Sequence, residues 1–147
     1  MIIREANIAD AKYLSERMRV ADQREFYKVT GSFNFFDQIM HGISSKNSKT
    51  YTLVLDGKAS AIIGTIENQD FQVVWACATD KVNNYKITFI KALKLLMERH
   101  KKERKPFINY VDVENKNAIK FLKASGFILL DKEPYGKLKE YFYPFYK

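Results

Sequence analysis

The sequence predicts a single domain of the α/β (α+β) class that spans residues 1–147. Strand and helix patterns follow one another in the order β-α-α-α-β-β-β-α-β-α-β-β, and no stretch rich in Pro, Gly or Ser divides them. Hydrophobic residues make up 46% of the chain and charged residues 29%, which is typical of a folded globular protein. A chain of this length can bury roughly two-thirds of the surface that it exposes when unfolded.

The first third of the chain predicts one strand and three helices. Asn7 and Asp10 have the spacing of a capping box, in which each side chain bonds the main-chain N–H of the other residue. Asp22 and Glu25 repeat this spacing ahead of a second helix, which is expected to end at Gly31 because glycine adopts the left-handed conformation easily. The remaining elements predicted here are a strand at residues 2–4 and a helix at residues 35–43.

Three strands and a long helix are predicted next. The turn Asp56-Gly57 between the first two strands is a strong hairpin signal. The long helix runs from Tyr85 to Lys105, because Pro106 cannot continue it, and its basic last turns complement the negative end of the helix dipole. The predicted strands span residues 50–55, 59–66 and 71–78.

Residues 107–127 predict a buried strand that runs directly into a short amphipathic helix. Tyr110, Val111 and Val113 are good strand formers. Asn115 is a natural N-cap, since its side-chain oxygen can accept a hydrogen bond from a free N–H at the helix start, and Gly126 suits the residue that ends the helix. Further strands are predicted at residues 128–131 and, after a Pro134-Tyr135-Gly136 turn, at residues 140–146.

The composition restricts the classes of partner and site. The net charge of +8 lies entirely in residues 76–147, which hold 16 Lys and Arg against 8 Asp and Glu. Such a surface attracts nucleic acid, anionic protein or a phosphorylated cofactor, or is simply solvated. The single cysteine, Cys77, excludes an internal disulfide. No apolar run approaches the ~20 residues of a membrane span, and neither His41 nor His100 has partners at ligand spacing. We therefore expect no membrane partner and no metal.

The segment that begins at Asn115 resembles the GNAT superfamily of N-acetyltransferases, whose pattern there is Asn-x-x-Ala-hydrophobic-x-hydrophobic-Tyr-x-x-x-Gly-Phe. The matching residues are Asn115, Ala118, Ile119, Phe121, Gly126 and Phe127. The resemblance implies a GNAT-like acyl-CoA N-acyltransferase fold, with a mixed, mostly antiparallel sheet flanked by helices, and acetyl-CoA as the cofactor. One position differs, because Leu122 stands where the family often has the tyrosine that protonates the leaving thiolate.

The resemblance also implies a cofactor site between the strand at 71–78 and the long helix. The family holds the cofactor pyrophosphate there with an Arg/Gln-x-x-Gly-x-Gly/Ala loop, whereas residues 79–88 contain no glycine. Lys81, Lys86 and the N–H groups of the helix start can compensate in part; alternatively, Asn83 or Asn84 merely caps the helix. The expected cofactor-binding residues are Ala78, Thr79, Lys81, Asn84, Tyr85, Lys86, Asn115 and Leu122.

Acetyl transfer to an amine needs a base for the amine and an acid for the thiolate. Asp112 and Glu114 alternate with valines and share one face of their strand, so either is a candidate base if that face lines the cleft, and a solvated charge if it does not. Tyr110 on the same face, or Tyr135 in the turn, can replace the missing tyrosine as acid. Further candidates, in the region that covers the acceptor in the family, are Glu25 and Tyr27.

A closer set of matches resembles the GNAT-like proteins of bacteriophages, including the internal virion protein type. The matching segments are Asp22-x-Arg24-Glu25, Thr79-Asp80, Asn109-Tyr110-Val111 and Pro134-Tyr135-Gly136. This resemblance implies a protein of the host cytoplasm or the phage virion. One hypothesis is an acetyl-CoA-dependent N-acyltransferase that acts on an amine of a protein or a small molecule. The other is a catalytically silent virion-associated protein that binds a phage or host partner, or nucleic acid through its basic half.

Overall fold

The computed structural model describes all 147 residues and arranges them around one eight-stranded sheet. The strands are β1 (Ile2–Glu5), β2 (Ser48–Leu55), β3 (Lys58–Glu67), β4 (Gln72–Ala78), β5 (Phe107–Asp112), β6 (Ile128–Leu129), β7 (Glu133–Tyr135) and β8 (Glu140–Tyr146). The helices are α1 (Ile8–Arg17), α2 (Val20–Thr30), α3 (Phe35–Ser44), α4 (Lys86–His100) and α5 (Lys116–Ala124), with a short 3₁₀ helix at Asp80–Asn84. The predicted class, a mixed and mostly antiparallel sheet flanked by helices, is confirmed.

The sheet opens between two of its central strands. The strand order is β1-β2-β3-β4-β5-β8-β6, with β7 on β8, and every pair is antiparallel except β4 with β5. These parallel strands pair only at Gln72 with Phe107 and at Val73 with Ile108. Beyond these residues the two strands have no pairing, so a gap forms between their C-terminal halves.

The helices cover both faces of the sheet and bury a core on each. Neighbouring residues of β3 point to opposite faces, so Ile62 packs in the core beneath α1 and α3, whereas Ile63 packs beneath α4 and α5. Leu14 and Ile39 fill the first core, and Phe121 belongs to the second. None of the five helices has both the length and the apolar character required to cross a bilayer.

Local capping signals give some helix starts correctly and one incorrectly. The box at Asn7 and Asp10 is present, with N–H to side-chain oxygen distances of 2.9 and 3.0 Å. Asn115 caps α5 through the N–H of Ala118 (3.3 Å). The box expected at Asp22 and Glu25 is wrong: α2 already begins at Val20, and both carboxylates accept hydrogen bonds from outside the helix.

The long helix α4 is shorter than predicted at its C-terminal end. It ends at His100 instead of Lys105, because Lys101 adopts an extended conformation and Arg104 a left-handed one, with φ of 65°. Lys102 and Lys105 then reach the same carboxylate, Glu67, each at 3.2 Å. Part of the basic run is therefore neutralised within the molecule.

Two further expectations need correction. Neither Asn83 nor Asn84 caps α4, since Tyr85 occupies the N-cap position without a side-chain hydrogen bond. The segment around Pro134 forms the short strand β7 before the chain turns at Gly136, whose φ is 77°. This strand exists because β8 extends far enough to pair with it, at Glu140 to Phe142.

Candidate functional site

A cavity of about 350 Å³ lies in the gap between β4 and β5. Its walls are mostly apolar and come from both faces of the sheet. Phe26 of α2 and Trp75 of β4 line one side, and Phe89 of α4 and Phe121 of α5 line the other. The cavity therefore connects the two faces through the opening of the sheet, and two reactants can meet in it from opposite sides.

The open edge of β4 presents main-chain groups to this cavity. The carbonyl of Val74 accepts a hydrogen bond from Asn109 Nδ2 (2.7 Å), and both main-chain groups of Ala78 are also bonded across this edge. Because alternate residues of a strand direct their main-chain groups to the same edge, Ala76 faces the gap as well. Ala76 is exposed and lines the cavity, and it pairs with Ile63 of β3 but has no partner on the β5 side. A main-chain N–H in this place can donate to the carbonyl oxygen of a thioester.

Asp22 and Arg19 close the C-terminal end of this edge. The N–H of Ala78 donates to Asp22 Oδ2 (3.0 Å), and the carbonyl of Ala78 accepts from the N–H of Arg19 (2.8 Å). The Arg19 and Asp22 side chains also form a buried ion pair at 3.0 Å. Burial raises the pKa of Asp22 even though Arg19 favours its charged form. These bonds fasten α2 to the sheet and limit the opening at Ala78.

Glu25 supplies a carboxylate to the cavity wall that forms no ion pair. Its Oε2 accepts from Asn115 Nδ2 (2.7 Å) and its Oε1 from the N–H of Asp112 (3.1 Å). Burial, reinforced by the negative charge of Asp22, raises the pKa of Glu25 to about 8. A carboxylate with a pKa in this range can accept a proton from an ammonium group near neutral pH.

The two acids predicted as candidate bases are brought together, but on a lysine outside the cavity lining. Lys28 Nζ lies 2.9 Å from Asp112 Oδ2 and 3.1 Å from Glu114 Oε2. Asp112 is buried and Glu114 is exposed, and neither is among the residues that line the cavity. Of the carboxylates named from the sequence as candidates for the chemistry, Glu25 alone lines the cavity.

The two candidate acids, Tyr110 and Tyr135, stack against each other at the cavity. Their ring centroids are 3.8 Å apart with an angle of 9° between the planes, and both residues line the cavity. The Tyr110 hydroxyl donates to Glu133 (3.1 Å). Burial raises the pKa of Tyr110, as does the bond to Glu133, and burial raises the pKa of Tyr135. Both hydroxyls therefore keep their protons at neutral pH and can donate them. Leu122 lines the same cavity.

The residues expected to bind the cofactor phosphates lie near one another but are partly engaged elsewhere. Thr79 caps the 3₁₀ helix through the N–H of Lys81 (3.3 Å). The Lys81 ammonium pairs with Asp56 at 2.9 Å, and the Tyr85 hydroxyl donates to the same carboxylate at 2.6 Å. This arrangement joins the loop to the β2–β3 turn and leaves Lys81 less available to an anion.

The N-terminus of α4 remains suited to an anion. No side chain caps it, and its first turn carries no acidic residue. Lys86 begins the helix and is exposed, as is Asn84 immediately before it. Free N–H groups and a lysine at the positive end of a 15-residue helix fit a pyrophosphate, without the glycines of the family loop. The residues present therefore fit a CoA thioester: the start of α4 would hold its phosphates, and the Ala76 N–H would donate to its carbonyl oxygen.

The histidines and the cysteine have other surroundings. His41 lines the cavity, whereas His100 shares a hydrogen bond with the Tyr51 hydroxyl (2.7 Å). Cys77 is buried, and burial raises the pKa of its thiol. The structure contains no group of three or more His, Cys, Asp or Glu side chains that could hold a metal ion.

Comparisons with known proteins identify the fold. No protein-family model and no curated protein matches the sequence. Among solved structures, an acetyltransferase of the GNAT family from Streptococcus pneumoniae aligns with a TM-score of 0.64 and 17% identity, covering 99% of this chain and 98% of that chain. Ribosomal-protein-alanine N-acetyltransferase from Brucella melitensis aligns with a TM-score of 0.69 and 11% identity, covering 100% and 99%.

A third solved structure includes ligands. Spermidine N-acetyltransferase from Vibrio cholerae, in complex with CoA and spermine, aligns with a TM-score of 0.66 and 12% identity, covering 99% of this chain and 94% of that chain. At identities this low the likeness is one of fold. The chain has the fold of the GNAT acetyltransferases over its whole length.

Proposed function

We propose that the protein transfers an acetyl group from acetyl-CoA to an amine in the opening between β4 and β5. The observation that carries this proposal is Glu25, a carboxylate without a cationic partner and with a pKa of about 8 on the cavity wall. The same cavity is lined by Ala76, whose main chain lies at an edge without a partner strand. A proton acceptor and an N–H donor for a carbonyl oxygen are the two groups that acyl transfer to an amine requires in one place.

Each residue has a defined part in this proposal. Acetyl-CoA supplies the acetyl group as an activated thioester. Glu25 accepts the proton of the incoming ammonium, and the Ala76 N–H stabilises negative charge on the carbonyl oxygen. Tyr110 and Tyr135 retain hydroxyl protons at the cavity, and either can protonate the departing sulfur, since Leu122 cannot. The start of α4 and Lys86 hold the phosphates.

The test is acetyl-CoA turnover in the presence of a mixture of amines, measured from the thiol that is released. Because Cys77 is buried, the protein contributes no accessible thiol of its own. Glu25→Gln is expected to lower kcat/KM by about 100-fold or more, since it removes the base. Glu114→Gln is the matched control, because that carboxylate is exposed and bound to Lys28, and it should change the rate by less than about threefold. An equal loss in both variants would contradict the role of Glu25.

A binding role without catalysis is the second candidate, and one observation favours it. Arg19 and Asp22 already occupy both main-chain groups of Ala78, a residue expected to contact the cofactor. Leu122 in place of a tyrosine agrees with a silent site. Under this candidate the partner is a phage virion protein or a host protein, as the phage resemblance implies, in the virion or the host cytoplasm. Folded protein that neither binds nor consumes acetyl-CoA would favour this role over transfer.

A further inference from the structure

The α2–α3 side of the cavity has one carboxyl group, Glu25, without a cationic partner, and a bound ammonium would favour its ionised form. We call this side the acceptor wall; it is lined by Phe26, Val29, Thr30, Gln38, His41 and Trp75, with Glu25 at its inner end. The other carboxylates near it already have cationic or hydroxyl partners: Asp22 with Arg19, Asp112 and Glu114 with Lys28, and Glu133 with the Tyr110 hydroxyl. One carboxylate can compensate one ammonium, so a second or third positive charge on a ligand would lie against an apolar surface without compensation.

The acceptor wall is also aromatic and rigid. The Trp75 indole lies between Gly42 of α3 and Gly64 of β3, where an added Cβ would come within 2.4 and 2.6 Å of the ring. Phe26 continues the wall and is held edge-on by Phe35, with ring centroids 6.3 Å apart. The two glycines cover the Trp75 indole on two sides, so the aromatic surface open to the cavity is the fixed Phe26 ring and the uncovered edge of Trp75, and both can pack against the flat, apolar body of an aromatic ligand.

Two buried donors at the cavity lack partners. Trp75 Nε1 and Arg19 Nη1 are both buried without a hydrogen-bond acceptor, and both residues line the cavity. Arg19 is 6% exposed, so bulk water does not satisfy it. Buried donors without acceptors are rare in folded proteins. Trp75 Nε1 packs against Gly64, so Arg19 Nη1 is the donor that a ligand oxygen would satisfy. This donor points to an occupant that carries an acceptor group as well as an ammonium.

The size of the cavity limits that occupant. Ligand pockets span roughly 300–1,000 Å³, and this one, at about 350 Å³, must also admit the thioester end of the cofactor. A single ring with a short amine chain fits the remaining space as a whole, whereas a polypeptide or a long polyamine can place only one end in it. From charge, shape and the unpaired Arg19 donor together, we infer that the acceptor is a small aromatic primary amine with one positive charge and an oxygen on its ring. This inference rests on the proposed transfer activity and names its acceptor class.

The test compares kcat/KM for tyramine, phenethylamine, spermidine and a peptide with a free N-terminus, with acetyl-CoA as donor. We expect tyramine to exceed phenethylamine, and both to exceed spermidine and the peptide by at least about tenfold. Phe26→Leu should lower kcat/KM for the aromatic amines by about fivefold and leave acetyl-CoA binding, measured by calorimetry, unchanged.

A variant with an added carboxylate tests whether the single carboxylate of the acceptor wall sets the preference for amines with one positive charge. Gln38→Glu adds a second negative charge to the acceptor wall and should raise the spermidine-to-tyramine ratio of kcat/KM about fivefold. Ser44→Glu adds the same charge to α3 outside the cavity lining and should leave the ratio unchanged. Equal or better use of spermidine or the peptide by the unmodified protein would overturn the inference and leave the transfer activity standing. Failure to bind acetyl-CoA or to acetylate any amine would overturn the transfer activity itself, and the inference with it.

Discussion

Glu25 owes its proposed chemistry to where its carboxylate is held. An exposed glutamate is ionised at neutral pH and a poor proton acceptor, whereas burial near Asp22 raises the pKa of Glu25 to about 8. Hydrogen bonds from Asn115 and Asp112 fix the orientation of both of its oxygens. Glu25 therefore combines a suitable pKa with a fixed orientation of its carboxylate, and a general base requires both.

The same shift predicts how stability depends on pH. The unfolded chain loses the Glu25 proton near pH 4.5, but the folded chain keeps it until about pH 8. Between these values the folded state binds more protons, so the free energy of unfolding falls as the pH rises. Urea denaturation at several pH values should show this fall, and Glu25→Gln should flatten it, with a smaller slope left by the raised pKa of Asp22. If the free energy of unfolding fell with pH as steeply in Glu25→Gln as in the unmodified protein, the raised pKa of Glu25 would be contradicted.

At the scale of residues, the sequence predicts roles that depend on neighbours in the chain. Asn7 and Asn115 cap helices through N–H groups three residues away, and both caps are present. Asp22 and Glu25 have partners in the sheet that are 56 and 87 residues distant, at Ala78 and Asp112. Local spacing carries no information on such contacts, so it indicated a helix cap where the fold builds a site.

At the scale of elements, helix α2 connects β4 and β5 by hydrogen bonds where these two strands separate. Its carboxylates hold the end of β4 through the N–H of Ala78 and the end of β5 through the N–H of Asp112. Asn115, at the start of α5, donates to both Asp22 and Glu25. The side chains of Asp22 and Glu25 therefore hold the ends of β4 and β5 and the start of α5 together, and these two side chains set the width of the opening between β4 and β5.

Removal of Asp22 should therefore be costly. Asp22→Ala leaves Arg19 buried without its counter-charge and leaves the N–H of Ala78 without an acceptor, so we expect a loss of about 3–5 kcal/mol in the free energy of unfolding. The control is Glu16→Ala, which breaks the exposed pair with Arg17 and should cost less than about 1 kcal/mol. Guanidinium denaturation measures both. If Asp22→Ala lowered the free energy of unfolding by no more than the control does, Asp22 would not hold α2 to the sheet as described.

The packing of α3 on β4 gives a second prediction for an element. Alanine usually stabilises a helix interior by about 1 kcal/mol relative to glycine. At Gly42, however, an added Cβ would lie 2.4 Å from the Trp75 ring, so Gly42→Ala should destabilise the protein by about 1–3 kcal/mol. A double-mutant cycle with Trp75→Leu should recover part of this loss. Additive losses in thermal or denaturant unfolding would show that the two side chains do not clash.

Other elements could be predicted only in part. Apolar periodicity gives the helices and most strands. Pro106 predicts that α4 ends at Lys105, whereas the helix ends at His100, where an extended Lys101, a left-handed Arg104 and the pairing of two lysines with Glu67 follow it. Strand β7 exists because it pairs with β8, which follows it in the chain, and its own three residues do not form a pattern that predicts a strand. Elements stabilised by distant contacts are the ones that the sequence missed.

At the scale of the whole molecule, the topology creates the site. The single parallel pair, β4 with β5, separates after two residues of pairing, and this separation leaves a cavity that reaches both faces of the sheet. The motif at Asn115 implied this fold through its resemblance to GNAT proteins, and solved structures confirm the fold. Neither periodicity nor composition predicts where a sheet opens, because the opening depends on the register of strands far apart in the chain.

The binding of acetyl-CoA in this opening is the central claim, and titration calorimetry tests it most directly. Ala76 is exposed to the cavity, so Ala76→Phe should fill the cofactor side without disturbing the buried core. Ala9→Phe places the same side chain on the exposed surface of α1 as a control. We predict that the unmodified protein and Ala9→Phe bind acetyl-CoA alike, and that Ala76→Phe, equally stable to urea, binds at least about tenfold more weakly. Absence of heat with folded unmodified protein, or equal affinity in all three proteins, would contradict the account.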